Sequence, residues 1–211
     1  MRLAKSKHQF NSALLGMILG DGSMNNQNTL YIRHGGKQLT YVDEKVKFLK
    51  AYIKPTTLRT FTDKQGYIAR YAYYNSKKLS YLYNLIYKKR KKVITKTLLN
   101  RFNEISLAFF YMDDGSLSLK NKKGSDTINA RNAYLCTHGF TWEEAGLFKE
   151  MLLNKFGLKF GITSDKGHPR LWCNTENTIK LLGIVAPIVK EFPGMHYKLE
   201  LKYKKKDIVF L

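Results

Sequence analysis

Asp21 and Asp114 each close an apolar run and each precede Gly-Ser, in Gly20-Asp21-Gly22-Ser23 and Asp113-Asp114-Gly115-Ser116. A carboxylate at the C-terminal end of a helix faces the negative end of the macrodipole, at a cost of ~0.3–1 kcal/mol. A fold shaped by stability alone would place Lys or Asn there. Asp-Gly is also an ordinary turn dipeptide, but two such stops, both followed by Ser, ask for a shared reason. Hard oxygen ligands suit a divalent cation such as magnesium, and two carboxylates brought together repel unless a cation neutralises them. If the two apolar runs pack side by side, their ends meet at one surface point. Gly16 and Gly20, four apart on one helical face, would let the backbones approach that closely.

The elements that must position these acids are written twice. Residues 12–20 are apolar nearly all round, the pattern of a buried helix, and Gly22 is able to take the left-handed conformation of a helix stop. A strand follows over 29–34. Thr40-Tyr41-Val42-Asp43 resembles a capping box and opens an amphipathic helix over 41–54. Residues 57–62 and 67–74, aromatic and β-branched, form a hairpin across Asp63-Lys64-Gln65-Gly66, and 77–89 is helical. The second half repeats the order: an apolar helix over 106–113, a polar loop over 120–132, and a strand over 133–137. A capping box at Thr141-Trp142-Glu143-Glu144 opens the next helix, which runs to Phe156. A hairpin of 158–163 and 170–173 turns through 164–169, and a helix over 176–190 carries Pro187, able to kink its last turn. Asp114 stands 93 positions after Asp21 (114 − 21), which fits a duplicated unit and a pseudo-two-fold molecule. The halves are expected at 1–92 and 106–211, joined by a linker over 93–105.

Composition narrows the partner. Against 16 acidic residues the 211-residue chain carries 37 Lys and Arg, a formal charge of +21. So large an excess makes sense beside a polyanion: DNA, RNA or an anionic membrane surface. At 44% hydrophobic the chain can bury a core, which excludes global disorder. No window approaches the ~18 consecutive apolar residues of a membrane span. Residues 1–10 are basic, but the apolar run after them is short and broken by glycines, so no secretory signal is expected. Cys136 and Cys173 form no metal or disulfide pattern and suit a reducing compartment.

Two nine-residue strings carry a resemblance. Leu14-Leu15-Gly16-Met17-Ile18-Leu19-Gly20-Asp21-Gly22 and Leu107-Ala108-Phe109-Phe110-Tyr111-Met112-Asp113-Asp114-Gly115 resemble the paired motifs of a single-chain LAGLIDADG homing endonuclease. Ser106 to Gly115, Thr137-His138-Gly139-Phe140-Thr141 and His196-Tyr197-Lys198-Leu199 are similar to the branch containing the mitochondrial omega-intron enzyme. Phe109 departs from the pattern, which has glycine there. The resemblance implies an α+β fold of two αββαββα halves, with the motif helices as a central two-helix interface and two antiparallel sheets as a DNA-binding saddle. It implies metal-dependent hydrolysis of one phosphodiester in each strand of duplex DNA, with Mg2+ (or Mn2+) at Asp21 and Asp114 and short 3′ overhangs. Asp113, at a position held by a small residue in the motif, is then adjacent rather than catalytic. One lysine per half accompanies the acids in this branch. Lys92 is the first, with Lys91 a substitute one register away, and Lys198 is the second. His34 and His138 each end a strand after an acid motif, where the family often carries a polar residue near the scissile phosphate. Asp165 is read as a structural turn acid.

Alternating strand residues put one face of each sheet toward DNA. Arg33, Arg59, Lys64, Gln65 and Arg70 are the expected readers in the first half, and Arg131, Asn132, Lys159, Lys166, His168 and Arg170 in the second. Arg pairs bidentately with guanine, and Gln or Asn with adenine. Tyr67, Tyr71, Tyr73 and Tyr74 are expected in core and hairpin packing. The alternatives from other classes are an RNA-binding maturase acting on the host intron RNA and a nuclease-dead DNA-binding regulator. The expected protein is a monomer without a membrane partner. It acts at DNA inside the cell: in the mitochondrial matrix if organelle-encoded, otherwise in bacterial or phage-infected cytoplasm.

Overall fold

A computed structural model describes residues 6–121, 128–203 and 206–208, with side chains described over 6–118 and 132–200. The first half runs α1 (Lys7–Leu19), β1 (Ser23–Met24), β2 (Thr29–Gly35), α2 (Leu39–Leu49), β3 (Thr57–Thr62), β4 (Ile68–Asn75) and α3 (Ser80–Ile86). A short hairpin, β5 (Tyr87–Lys88) and β6 (Lys91–Lys92), and α4 (Lys96–Arg101) lead into the second half. That half holds α5 (Glu104–Asp114), β7 (Gly115–Asn121), β8 (Ile128–Cys136), α6 (Trp142–Phe156), β9 (Gly161–Asp165), β10 (His168–Cys173) and α7 (Thr175–Val189). A 3₁₀ segment, Pro193–Leu199, and the pair β11 (Leu201–Tyr203) and β12 (Lys206–Ile208) follow. Each half is therefore αββαββα with a four-stranded antiparallel sheet, ordered β1-β2-β4-β3 and β7-β8-β10-β9.

Helices cover one face of each sheet: α2 lies on β2 and β4, α7 on β8 and β10, and α6 on β9 and β10. The core joins both halves through rings, with Phe109 against Phe48 and Phe192, and Phe148 against Phe102 and Phe110. α1 begins at a capping box between Ser6 and Gln9, and α6 at one between Thr141 and Glu144. No amphipathic stripe is needed on α1, because α5 packs on one side of it and its own half on the others.

Several local expectations give way. Gly22 does not take a positive φ. It is glycine because a Cβ there would lie 2.7 Å from the Met17 carbonyl oxygen, to which its own N–H donates. Thr40 caps nothing, since a 3₁₀ turn over Gly36–Gln38 starts the backbone coiling earlier and α2 opens at Leu39. α3 is shorter than 77–89 because Lys89 and Arg90, both at positive φ, turn the chain into the β5–β6 hairpin. The 93–105 stretch is no bare linker. It holds α4, whose closing carbonyls at Leu99, Asn100 and Phe102 accept from Lys155 Nζ. Within the polar stretch, residues 120–121 and 128–132 are strand, and the turn between β9 and β10 contracts to Lys166-Gly167, both left-handed as a two-residue hairpin requires.

Candidate active site

α1 and α5 pack in parallel, and glycine sets their separation. A Cβ on Gly16 would strike the Ser106 carbonyl oxygen, and one on Gly20 would lie 2.6 Å from Asp113 Cβ. Phe109 fits the interface because the residue opposite it is Gly16. Ser106 Oγ donates to the Ser12 carbonyl at 2.8 Å and Asn103 Nδ2 to Ser12 Oγ at 2.9 Å, which fixes the register at the far end. Parallel packing brings both helix C-termini, and with them Asp21 and Asp114, to one end of the interface.

The electrostatics follow. Burial, then the fields of Asp21 and Asp113, push the Asp114 carboxyl up to about 7. Burial and the field of Asp113 push Asp21 up to about 6, although 41% of its side chain stays exposed. Lys92 Nζ donates to the Gly20 carbonyl at 2.7 Å, at the end of α1. Lys198 Nζ does the same at the end of α5, donating to Gly115 O at 2.7 Å and Asp113 O at 3.3 Å. Each half thus supplies a lysine that satisfies the orphan carbonyls of its own motif helix and complements the macrodipole. Burial lowers both lysine pKa values while the three acids oppose the shift. Lys91 points outward, so the β6 register selects Lys92.

The two histidines are not counterparts. Ser23 pairs Tyr31 in the first sheet and Ser116 pairs Tyr134 in the second, so His34, three residues past Tyr31, matches Thr137. Thr137 uses its hydroxyl on the Pro169 carbonyl at 2.7 Å. His34 is buried, its Nε2 2.9 Å from Lys45 Nζ and its Nδ1 3.1 Å from Gln38 Oε1. Because Lys45 can only donate, Nε2 accepts and the ring proton sits on Nδ1. Burial and Lys45 hold its pKa down to about 4, so the ring is neutral at pH 7. His138 Nε2 lies 3.3 Å from Asp165 Oδ2 outside hydrogen-bond geometry, and Arg170 reaches the same oxygen at 3.2 Å. Asp165 is therefore more than a turn acid: it anchors an arginine on the open face.

The open faces carry five of the eleven expected readers: Arg33, Arg59, Asn132, His168 and Arg170. Tyr31 and Arg33 on β2 share that face with Arg59, Phe61, Tyr71 and Tyr73, as the cross-strand register requires. Asn132, Tyr134, His168, Arg170 and Trp172 share it in the second sheet. Lys64, Gln65 and Lys166 sit at exposed hairpin turns, and exposed Lys159 lies at the opposite end of β9, beside α7. Arg70 is a correction. It lies on the helix-facing side, where Nη2 meets Asp43 Oδ1 at 2.8 Å and Nη1 donates to Thr60. The Arg131 side chain lies outside the described residues. The tyrosines divide: Tyr74 is buried core, whereas Tyr71 and Tyr73 stack with ring centroids 5.0 Å apart on the open face, and Tyr67 is half exposed.

Sequence reasoning missed Lys45 and Gln38, and placed Asp113 beside the site without its partner. Lys45 stands on the buried stripe of α2 with Tyr41, Val42, Phe48 and Leu49. A lysine at a core position of an amphipathic helix was the available signal.

The comparisons agree with this architecture. A model of the LAGLIDADG DNA endonuclease family matches residues 11–181. The chain is 31% identical over 134 residues to "Probable intron-encoded DNA endonuclease 3" of Mycosarcoma maydis, covering 61% of this chain and 90% of that one. It is 28% identical over 194 residues to "Probable intron-encoded endonuclease 1" of Wickerhamomyces canadensis, covering 88% of this chain and 81% of that one. Among solved structures, the homing endonuclease I-WcaI bound to its DNA recognition sequence superposes with a TM-score of 0.78 at 28% identity, covering 93% of this chain and 88% of that chain. With a duplicated αββαββα fold, two motif helices in parallel contact and a family match over most of its length, the chain belongs to the LAGLIDADG DNA endonuclease family.

Proposed function

We infer that this homing endonuclease hydrolyses one phosphodiester in each strand of a long duplex site, using divalent cations at Asp21 and Asp114 and leaving short 3′ overhangs. The observation that carries the reading is the convergence of two motif-helix carboxylates on one point, each raised in pKa by burial and by neighbouring carboxylates. That donor set, all hard oxygen and short of neutralising charge, fits Mg2+ or Mn2+. When bound, such ions make water nucleophilic near neutral pH and offset charge on the phosphoryl and leaving oxygens.

The chain's own residues do the rest. Lys92 and Lys198, tied to helix-end carbonyls, keep their ammonium groups beside the acids, where they offset phosphate charge as it approaches. With both ring nitrogens engaged, His34 holds its proton and orients its neighbours rather than shuttling a proton. Arg33, Arg59 and Arg170 supply guanine-reading forks, and Gln65 and Asn132 supply amides for adenine. The open-face tyrosines offer further contact area. One chain contains both acids, so a monomer suffices. The names of the Mycosarcoma and Wickerhamomyces relatives support an intron-encoded origin.

The test is cleavage of a plasmid library containing randomised sites, with Mg2+ and then with Ca2+. Linear product in Mg2+ with ends mapping to one sequence is the expected result. Retention of DNA in both ions without cutting would replace the nuclease by a DNA-binding regulator.

A further inference from the structure

The Asp21 side of the centre holds three groups that an acid pair does not require. Asp113 occupies the motif position that Gly20 holds in the first copy, and its side chain is fully enclosed. Lys45, also fully enclosed, places Nζ 2.7 Å from Asp113 Oδ1 and 2.9 Å from His34 Nε2, with the Tyr41 ring centroid 4.2 Å away. Ligand atoms of Asp21, His34 and Asp113 all lie within 4.8 Å of one another. That is the spread of donors around one ion with bonds of about 2.0–2.6 Å. Asp113 Oδ2 lies against Gly20 at the end of α1, buried and without a hydrogen-bond partner among the described residues.

We propose that Lys45 is a built-in cation, its ammonium held by Asp113 and His34 where a further divalent ion would otherwise bind, so that Asp113 stays out of the metal-ligand set. The ammonium meets Asp113, His34 and the Tyr41 ring at once, so an ion could reach Asp113 Oδ1 or His34 Nε2 only by displacing a tethered side chain. The charge at this position is then independent of ion concentration. Lys92 and Lys198 act on both Asp21 and Asp114, whereas the field of Lys45 is felt at Asp21. Both sides share the two helix-capping lysines, but the Asp21 side adds a permanent internal cation where the Asp114 side has none among the described residues. The pseudo-two-fold is broken chemically at its centre.

The inference rests on the proposed function only for the role of Asp21 and Asp114, and the test separates the two. Bound Mn2+ is counted on the free protein by electron paramagnetic resonance of the unbound ion, with the fold of each variant checked by circular dichroism. Lys45→Met removes the ammonium while keeping most of the apolar stem. It is expected to bind one more Mn2+ than the unmodified chain, and Lys45→Met/Asp113→Asn is expected to return to the original count. An unchanged count in folded Lys45→Met overturns the proposal. So does loss of an ion in Asp113→Asn, which keeps Lys45 and therefore remains informative if Lys45→Met does not fold. Asp21→Asn reports on the other reading: a count unaffected by that change removes the metal role of Asp21 and leaves the Lys45 comparison standing.

Discussion

Asp21 and Asp114 should cost the protein stability, in a pH window that the structure defines. The Asp114 carboxyl sits at about 7 in the fold against an ordinary value of 3.8, and Asp21 at about 6. In the unfolded chain both ionise near pH 4, so between about pH 4 and 7 the native state binds more protons than the unfolded state. Stability then falls as pH rises through that window, is least affected below it, and reaches its full deficit above it. At about 1.4 kcal/mol per pH unit, the Asp114 displacement alone corresponds to roughly 4 kcal/mol. Solvent screening and the shared field of the two acids reduce this, so Asp114→Asn should gain about 2 kcal/mol at pH 8. Asp21, more exposed, should yield about half as much. For a chain of this size 2 kcal/mol is roughly 4–8 °C in Tm. Calorimetric unfolding of both proteins at pH 8 and pH 5, without divalent ions, measures it. The gain should be large at pH 8 and shrink at pH 5, and millimolar Mg2+ should narrow it at pH 8 by neutralising the parent's acids. An Asp114→Asn variant no more stable than its parent at pH 8, or equally stabilised at both pH values, would refute the reasoning.

Other outcomes follow from the same geometry. Asp21→Asn or Asp114→Asn should abolish cutting while retaining DNA binding, read by gel shift beside a plasmid assay; undiminished cleavage removes the metal assignment. Lys198→Met should slow cleavage far more than it weakens binding and should also lower Tm, because the carbonyls of Asp113 and Gly115 at the end of α5 lose the Lys198 ammonium. Gly16→Ala should destabilise by about 1–3 kcal/mol in a denaturant titration, since the Cβ meets a backbone carbonyl that cannot move alone. Arg59→Ala should weaken binding to the target by about 1–3 kcal/mol while leaving random DNA little changed, if it reads a base. A uniform loss with a shallower salt slope would make it a phosphate contact.

What was legible in the chain was local. Apolar runs, Gly16 and Gly20, and paired turn signals foretold buried helices, close helix contact and hairpins because neighbours along the chain decide those features. The misreadings were of other kinds. Eight residues separate Ser23 from its partner Tyr31, but eighteen separate Ser116 from Tyr134. The longer hairpin displaces everything after it, so the structural counterpart of His34 is Thr137 and not the neighbouring His138. Strand alternation fixes which residues share a face but not which face is covered, so the sequence alone does not separate Arg70 from the open-face readers. That was decided by α2, which brings Asp43 against it. The Lys45–Asp113 pair joins positions 68 apart in sequence. No propensity or period reports such a contact, though a lysine within the apolar stripe of α2 marked where to look.

A chain with a formal charge of +21 concentrates three carboxylates, Asp21, Asp113 and Asp114, at one point and surrounds them with Lys45, Lys92 and Lys198. Count for count the centre is balanced before DNA arrives, yet its parts are not equivalent. Lys45 is committed to Asp113, and Lys92 and Lys198 to helix-end carbonyls. Asp21 and Asp114 are left with raised pKa values as the residual demand for positive charge. Two approaching phosphates deepen that demand. On the proposed reading, exchangeable cations meet that demand at the acid pair and not elsewhere in the cluster. Lys45, by pairing with Asp113 Oδ1 internally, then confines that demand to Asp21 and Asp114.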